Sequence, residues 1–247
     1  MEQPSRAVGT VDERLARVSL HRHIVLAAGR TWLIDAVKDQ DRLLEAADYF
    51  DAFPYGLLLW DAAVVLADAL ADMGSLEGRR VLELGAGAGL TGLAARHLGG
   101  SVVQTDHAPE ALELGRRNAL LNDIQGITQT LADWTQWDVP ERFDLIVGSD
   151  ILYDGSAHAP IARVLDASLA DGGMAMLTDP GRTATPFFVR DMRGAGWSVS
   201  QTMRRIDAIH PVRVDETVNI AVLTLRRSCS DSDAWFPVGP RRVSPEP

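Results

Sequence analysis

The chain has 247 residues, of which 46% are apolar and 23% are charged. This composition is typical of a globular protein and excludes the collagen-like and intrinsically disordered classes. The formal net charge of −10 at pH 7 argues against general binding of a DNA or RNA backbone. We therefore expect no nucleic-acid partner.

Cysteine and apolar patterning limit the kinds of site that the chain can carry. A single cysteine, Cys229, excludes an internal disulfide and a cysteine-rich zinc site. His21 and His23 share one face of a strand pattern, but no third ligand is evident, so we expect no metal. No apolar run reaches about 18 residues, and the first ten residues lack a signal-peptide pattern. We expect a cytoplasmic protein that does not span a membrane.

The ends of the chain differ in composition from its centre. Residues 1–12 are polar, and residues 229–247 combine four prolines with serine and aspartate, which predicts a disordered tail at each end. The sequence between them, 13–228, contains no internal repeat and no long linker. We expect it to form a single domain.

The domain is predicted to begin with a small N-terminal extension, residues 13–58. Residues 21–28 and 31–37 are β-rich runs on either side of a turn at Gly29-Arg30, which predicts a hairpin. A helix is predicted at residues 41–48, where the leucines have helical spacing.

The predicted core, residues 59–228, starts with an amphipathic helix at 59–72. Four strand-then-helix units follow, with helices at 90–98, 109–121, 158–170 and 185–194. That order predicts an α/β fold, a Rossmann-like, doubly wound parallel sheet with helices on both faces. The last two strand patterns have no crossover helix between them, so we expect antiparallel pairing at one sheet edge. Ligands of such sheets bind beyond the carboxyl ends of the strands.

A glycine-rich loop follows the first core strand and predicts a nucleotide-like cofactor. Small residues at this place let the backbone approach a ligand at the start of a helix. Two registers are open at this point. Gly87-x-Gly89-x-x-Gly92 fits the dinucleotide fingerprint, whereas Glu83-x-Gly85-x-Gly87-x-Gly89 resembles the first motif of S-adenosylmethionine-dependent methyltransferases.

Polar and aromatic residues at the ends of the next strands are candidates for cofactor contacts. Asp106 ends the second strand, where a carboxylate accepts hydrogen bonds from ribose hydroxyls, and His107 adjoins it. After the third strand, Asp133 would accept a hydrogen bond from an adenine amino group while Trp134 covers the ring. The alternative is a surface acid beside a core aromatic. Ser149, at the end of the fourth strand, completes the candidate cofactor site.

Three further motifs make the resemblance more specific. Asp150-x-x-Tyr153 follows the fourth strand and, with the ExGxGxG loop, is similar to the DxxY motif of the seven-strand protein-lysine methyltransferases. Residues 53–55 and 59–63 resemble that family's aromatic and tryptophan-containing segment. Residues 178–182 are similar to the Asp-Pro-Gly-Arg stretch of the branch that acts on the β subunit of electron-transfer flavoprotein.

The resemblance covers residues 41–225 and implies a seven-strand methyltransferase sheet, S-adenosylmethionine as the cofactor and a protein lysine as the methyl acceptor. Two positions depart from the family pattern. Gly56 stands where many bacterial relatives carry a tryptophan, and Asp61 replaces a frequent proline. These departures leave the exact substrate open.

The resemblance also implies roles around the transferred methyl group. Asp150 would orient the acceptor amine or relay its proton, and Tyr153 would line the amine channel. Trp60 would close over the cofactor and Tyr55 over the substrate. Arg182 is a candidate for binding a substrate carboxylate. Each has a structural alternative, namely a helix cap for Asp150, core packing for the aromatic residues and a solvent-facing position for Arg182.

We therefore expect an N-methyltransferase that acts on a protein lysine by direct in-line transfer. A small-molecule amine is the alternative acceptor, because the sequence does not distinguish the two. An NAD(P)-dependent oxidoreductase is disfavoured because the only lysine, Lys38, lies upstream of the glycine loop. A non-catalytic cofactor-binding protein is disfavoured by Asp150 and Tyr153.

Overall fold

A computed structural model of the protein describes residues 9–227. The strands in chain order are β1 (Leu20–Ala27), β2 (Arg30–Val37), β3 (Arg80–Leu84), β4 (Ser101–Asp106), β5 (Ile127–Leu131), β6 (Phe143–Ser149), β7 (Leu169–Asp179), β8 (Trp197–Asp207) and β9 (Thr217–Arg227). The helices are α1 (Val11–Leu15), α2 (Gln40–Ala46), α3 (Asp61–Asp72), α4 (Leu90–His97), α5 (Pro109–Leu121), α6 (His158–Ser168) and α7 (Thr185–Gly194). Short 3-10 helices lie at 47–49, 55–57, 134–136 and 155–157.

Strands β3 to β9 form one sheet in the order β5-β4-β3-β6-β7-β9-β8. The five strands from β5 to β7 are parallel, and β9 is antiparallel to both of its neighbours, β7 and β8. Apolar side chains pack on both faces of the sheet, with α3 on one face and α6 and α7 on the other. The predicted doubly wound seven-strand fold with antiparallel strands at one edge is confirmed.

The N-terminal extension contains a separate hairpin of β1 and β2. Its turn residues are Ala28 and Gly29, one position before the predicted turn. Both have left-handed backbone angles, with φ of 51° and 68°, as a two-residue type I′ turn requires. The Asp68 side chain of α3 accepts a hydrogen bond from the Ala28 N–H at 2.7 Å, which fixes the turn against the core.

Two asparagines, Asn118 on α5 and Asn122 at its C-terminal cap, attach the hairpin to the rest of the domain. Asn118 accepts the Asp35 N–H at 2.8 Å and donates to the carbonyl oxygens of Asp35 and Ala88 at 2.9 Å each. One helical turn later, Asn122 bonds the N–H and the carbonyl of Leu33 in the same way. The two amides thus satisfy backbone groups of β2 that would otherwise be left without partners.

Two boundaries that differ from the sequence prediction have a local cause. Helix α1 starts inside the predicted tail 1–12, because Thr10 and Glu13 form a reciprocal capping box. Helix α6 ends at Ser168 rather than residue 170, because the chain already enters β7 at Leu169. Residues 1–8 and the predicted tail 229–247 lie outside the described residues.

Asn118→Ala should lower the free energy of unfolding by about 2–4 kcal/mol, because it leaves buried backbone groups of β2 and of the glycine loop without hydrogen-bond partners. Urea unfolding followed by circular dichroism measures the change. Asn219→Ala, at an exposed position of β9, is the control and should stay within about 0.5 kcal/mol of the unsubstituted protein. Equal stability of the two variants would contradict the role given to Asn118.

Candidate active site

A cavity of about 520 Å³ opens at the carboxyl ends of the parallel strands. Its volume lies within the range of small-molecule and cofactor sites. Its walls come from the loops after β3, β4, β5, β6 and β7 and from the segment before α3. All but two of the predicted site residues line it: Tyr55, Trp60, Gly85, Gly87, Gly89, Asp106, His107, Trp134, Ser149, Asp150, Tyr153 and Arg182.

The glycine loop presents bare backbone to this cavity. Gly87 has a left-handed φ of 53°, and a Cβ there would lie 3.3 Å from the carbonyl oxygen of Gly56. Gly56 is itself confined, since a Cβ on it would lie 2.8 Å from the Cβ of Ala111. Position 56 therefore has no room for a side chain, and the two segments meet through their backbones.

Asp106 is held at the end of β4 with its carboxylate at the cavity wall. Its two oxygens accept the N–H groups of Gly87 and Ala108, each at 3.0 Å. Burial raises the pKa of Asp106, and these two hydrogen bonds lower it. An ionised carboxylate has about four acceptor sites, so the bonds orient the group and leave further sites for hydroxyl donors. The exposed ring of His107 lies beside it, with Nδ1 3.4 Å from Oδ1.

Glu83 does not line the cavity, contrary to its predicted contact with the cofactor. It lies beneath the loop, 1% exposed, and accepts a hydrogen bond from Nε2 of Gln104 at 2.8 Å. Gln104 also donates to the carbonyl oxygen of Gly89 at 3.1 Å. Burial raises the pKa of Glu83 to about 8, although the bond from Gln104 opposes the shift. Glu83 therefore supports the loop from below instead of facing a ligand.

Asp133 is the second predicted cofactor residue outside the cavity wall. It is exposed, and its Oδ1 accepts the N–H and the hydroxyl of Thr135 at 2.7 and 2.8 Å. These bonds make it the cap of a 3-10 helix through Oδ1, and its expected contact with an adenine amino group stays a prediction. Trp134 does face the cavity, where a Cβ on Gly85 would lie 3.4 Å from its ring.

At the other side of the cavity, Asp150 forms a two-point ion pair with Arg182. Nε and Nη2 of Arg182 donate to Oδ1 and Oδ2 of Asp150 at 2.9 and 2.6 Å. Asp150 is 7% exposed and has a left-handed φ of 51°, an uncommon conformation outside glycine that occurs at functional sites. The guanidinium that was expected to bind a substrate carboxylate is thus already paired with a carboxylate of the protein.

Three aromatic residues wall the cavity near this ion pair. The rings of Tyr55 and Tyr153 lie 5.3 Å apart, and Nε1 of Trp60 donates to the carbonyl oxygen of Tyr55 at 3.0 Å. Tyr55 and Tyr153 are 45% and 44% exposed, which is too much for core residues. Partial burial raises the pKa of Tyr153, so its phenol is neutral in the neutral pH range.

Two structural supports of the site are absent from the sequence prediction. Gln104 carries the loop from below, and its only sequence signal is a polar residue inside an apolar strand pattern. Asp179 is 1% exposed and accepts the N–H groups of Gly181 and Arg182 and the hydroxyl of Thr185. Its sequence signal is an aspartate before Pro-Gly, a pattern typical of turns.

The overall fold is shared with known structures. Magnesium protoporphyrin IX methyltransferase (ChlM) from Synechocystis PCC 6803, solved with bound SAM, superposes with a TM-score of 0.52 at 19% identity over 67% of this chain and 78% of that chain. This similarity defines the fold class, a Rossmann-like α/β fold.

The family assignment comes from the sequence itself. The family model described as lysine methyltransferase matches residues 38–183, more than half of the chain, including the glycine loop, Asp106 and Asp150. The chain belongs to this family. The predicted family is confirmed, and membership of it supports the predicted enzyme class and S-adenosylmethionine cofactor and favours the ExGxGxG register over the dinucleotide register.

Relatives within the family differ in the residue named as acceptor. Protein N-lysine methyltransferase METTL21A of Danio rerio is 43% identical over 118 residues, which cover 44% of this chain and 53% of that protein. Histone-arginine methyltransferase METTL23 of Xenopus laevis is 38% identical over 108 residues, which cover 40% and 46% respectively. The chain spans about half the length of these curated relatives.

The residues that line the cavity suit S-adenosylmethionine in their chemistry. Gly87 offers backbone without a side chain, Asp106 offers acceptor oxygens suited to ribose hydroxyls, and Trp134 offers a flat apolar wall. Between residues 9 and 227, no group of three or more His, Cys, Asp or Glu side chains has the arrangement of a metal site. In the same range, no helix has both the length and the apolar character that crossing a bilayer requires.

Glu83→Gln tests the raised pKa beneath the loop. The Glu83 carboxyl has its ordinary pKa of 4.5 in the unfolded chain and a pKa of about 8 in the folded chain. The unsubstituted protein therefore loses stability as the pH rises from 4.5 to 8. A glutamine does not titrate. Relative to the unsubstituted protein, the variant should therefore gain about 2–4 kcal/mol in unfolding free energy from pH 5 to pH 8. Urea unfolding at both pH values measures this gain. Glu77→Gln at the surface is the control, and an equal stability difference at both pH values for Glu83→Gln would exclude a buried proton.

Proposed function

We propose that this protein is an S-adenosylmethionine-dependent N-methyltransferase that methylates a lysine side chain of another protein. Membership of the lysine methyltransferase family supports the reaction class, and the similarity to METTL21A supports lysine as the acceptor. A cytoplasmic location is part of the proposal and rests on the single cysteine.

The observation that carries the proposal is a buried carboxylate in an aromatic-walled cavity. Asp150 lines the same space as Tyr55, Trp60 and Tyr153. A carboxylate and aromatic ring faces both attract a cationic ammonium group. A lysine side chain is long and unbranched, so it can enter between the exposed tyrosine rings while its protein backbone stays outside.

The cofactor side of the cavity would be held by the backbone of the glycine loop and by Asp106. Asp106 is already oriented by two backbone N–H groups, and its open acceptor sites would bind ribose hydroxyls. Trp134 would cover the adenine, and His107 and Ser149 would complete the contacts. When bound, S-adenosylmethionine supplies a methyl group on a sulfonium, and transfer to an amine leaves S-adenosylhomocysteine.

The protein's part in such a transfer is positioning. The acceptor amine has an ordinary pKa near 10.4 and must lose a proton before its lone pair can attack. An acceptor site on Asp150 that Arg182 does not use would take a hydrogen bond from the amine N–H and direct the lone pair. The rings of Tyr55, Trp60 and Tyr153 would exclude water, and the released proton would leave through the mouth of the cavity.

Asp150→Asn should reduce methyl transfer by about 10²–10⁴, the range for loss of a group that orients charge or handles a proton. Affinity for S-adenosylhomocysteine should change by no more than a few-fold, because the Asp150 carboxylate bonds Arg182 rather than the glycine loop. Single-turnover transfer of labelled methyl groups, calorimetry and thermal melting on one preparation measure these effects. Asp35→Asn is the control, since Asp35 forms a two-point ion pair with Arg22 on the hairpin.

The acceptor is identified in the same assay with a cell lysate divided into protein and small-molecule fractions. Label should enter the protein fraction and appear as methyl-lysine after acid hydrolysis. Detection of methyl-arginine instead would contradict lysine as the acceptor and would indicate arginine, the residue named for METTL23. Label confined to the small-molecule fraction would contradict a protein substrate, and full turnover by folded Asp150→Asn would contradict the role of the carboxylate.

A further inference from the structure

We propose that Arg182 is a positioning residue that holds the Asp150 carboxylate in a single orientation towards the methyl acceptor. The inference rests on the proposed function and gives Arg182 a role that differs from binding a substrate carboxylate. Its basis is the geometry of the ion pair and of the two loops that carry it.

The pair has a fixed geometry because the guanidinium contacts both carboxylate oxygens. Two parallel hydrogen bonds of 2.9 and 2.6 Å define the plane and the rotation of the Asp150 side chain, which a single bond would not. Because the two bonds fix the carboxylate plane, they also fix the directions in which the remaining lone pairs of the Asp150 oxygens point. Arg182 is 38% exposed in its side chain whereas Asp150 is 5% exposed, so the arginine reaches in from the solvent side to a buried acid.

Both ends of the pair are anchored by backbone. The Asp150 N–H donates to the carbonyl oxygen of Thr178 at 2.8 Å, so the residue after β6 is tied to β7. At the end of β7, Asp179 accepts the Arg182 N–H at 2.9 Å. Asp150 and the loop that carries Arg182 therefore both begin at the neighbouring ends of β6 and β7. The Arg182 guanidinium carbon lies 5.8 Å from the centre of the Trp60 ring, so this ring is a further neighbour of the guanidinium.

The charges around Asp150 make its ionisation depend on Arg182. Burial raises the pKa of Asp150, and Asp179 at the end of β7 and Asp61 at the start of α3 raise it further. Arg182 is the group that lowers it, through its hydrogen bonds and its charge. The phenols of Tyr55 and Tyr153 are the other titratable groups at this wall. Loss of Arg182 would thus leave Asp150 protonated at higher pH and free to rotate.

The test compares Arg182→Gln and Arg182→Lys with the unsubstituted protein. Arg182→Gln should lower kcat/KM at pH 7 by about ten- to a hundred-fold and shift the acid limb of its pH profile to higher pH. Arg182→Lys keeps the charge without the two-point contact. The acid limb of Arg182→Lys should therefore lie between those of the unsubstituted protein and Arg182→Gln, and its kcat on the pH-independent plateau should still be reduced. Arg22→Gln removes a matched two-point pair outside the site and should leave activity unchanged.

A readout without turnover separates this inference from the proposed function. In protein labelled with ¹³C at the aspartate carboxyl groups, the Asp150 resonance, assigned by its absence in Asp150→Asn, should titrate at higher pH in Arg182→Gln. Absence of methyl transfer by the unsubstituted protein would refute the proposed function and leave this titration to decide the inference. A raised KM in Arg182→Gln, with no shift in the acid limb or in the Asp150 titration, would overturn the positioning role of Arg182 in favour of direct substrate binding. Affinity for S-adenosylhomocysteine should stay within about threefold in both variants, and a larger loss would also overturn it.

Discussion

The shape of the cavity depends on a row of buried and half-buried polar side chains beneath the glycine loop. Glu83, Gln104 and Gln129 occupy directly paired positions of β3, β4 and β5. Gln104 donates to Glu83 and Gly89, and Gln129 donates to Gln104 and to the carbonyl oxygen of Leu112 on α5. Buried polar groups are costly unless they are bonded, so this row fixes the loop and α5 relative to the sheet.

The two carboxylates in the cavity wall are kept in place by different means. Asp106 is oriented by backbone N–H groups of the loop and of the chain before α5, so its geometry follows from the sheet and the loop. Asp150 is oriented by a side chain from another loop. This difference suits the two proposed tasks, because binding the ribose requires a fixed acceptor whereas methyl transfer requires a charge aimed at a substrate atom.

Strand and helix order could be predicted from the sequence because it depends on local hydrophobic periodicity and on turn residues. Helices α5 and α7 have the predicted bounds, since each has a proline in its first turn. Strand ends also place residues such as Asp106 and Asp150 at one edge of a parallel sheet, so much of the cavity wall was predictable.

What the sequence could not reveal are contacts between residues far apart in the chain. Glu83 and Asp133 were assigned to the ligand by their places in motifs, but the side-chain direction of Glu83 depends on Gln104, and that of Asp133 on a local cap. The pairing of Arg182 with Asp150 joins residues 32 positions apart. The docking of β2 on Asn118 joins residues 83 positions apart. Periodicity carries no information on such pairs.

Every role proposed for this cavity depends on binding of S-adenosylmethionine at the glycine loop. Isothermal titration of the full chain with S-adenosylhomocysteine and, separately, with NAD measures this binding. We expect saturable one-to-one binding of S-adenosylhomocysteine and no heat of binding for NAD at the same concentrations. Saturable binding of NAD without binding of S-adenosylhomocysteine would contradict this expectation.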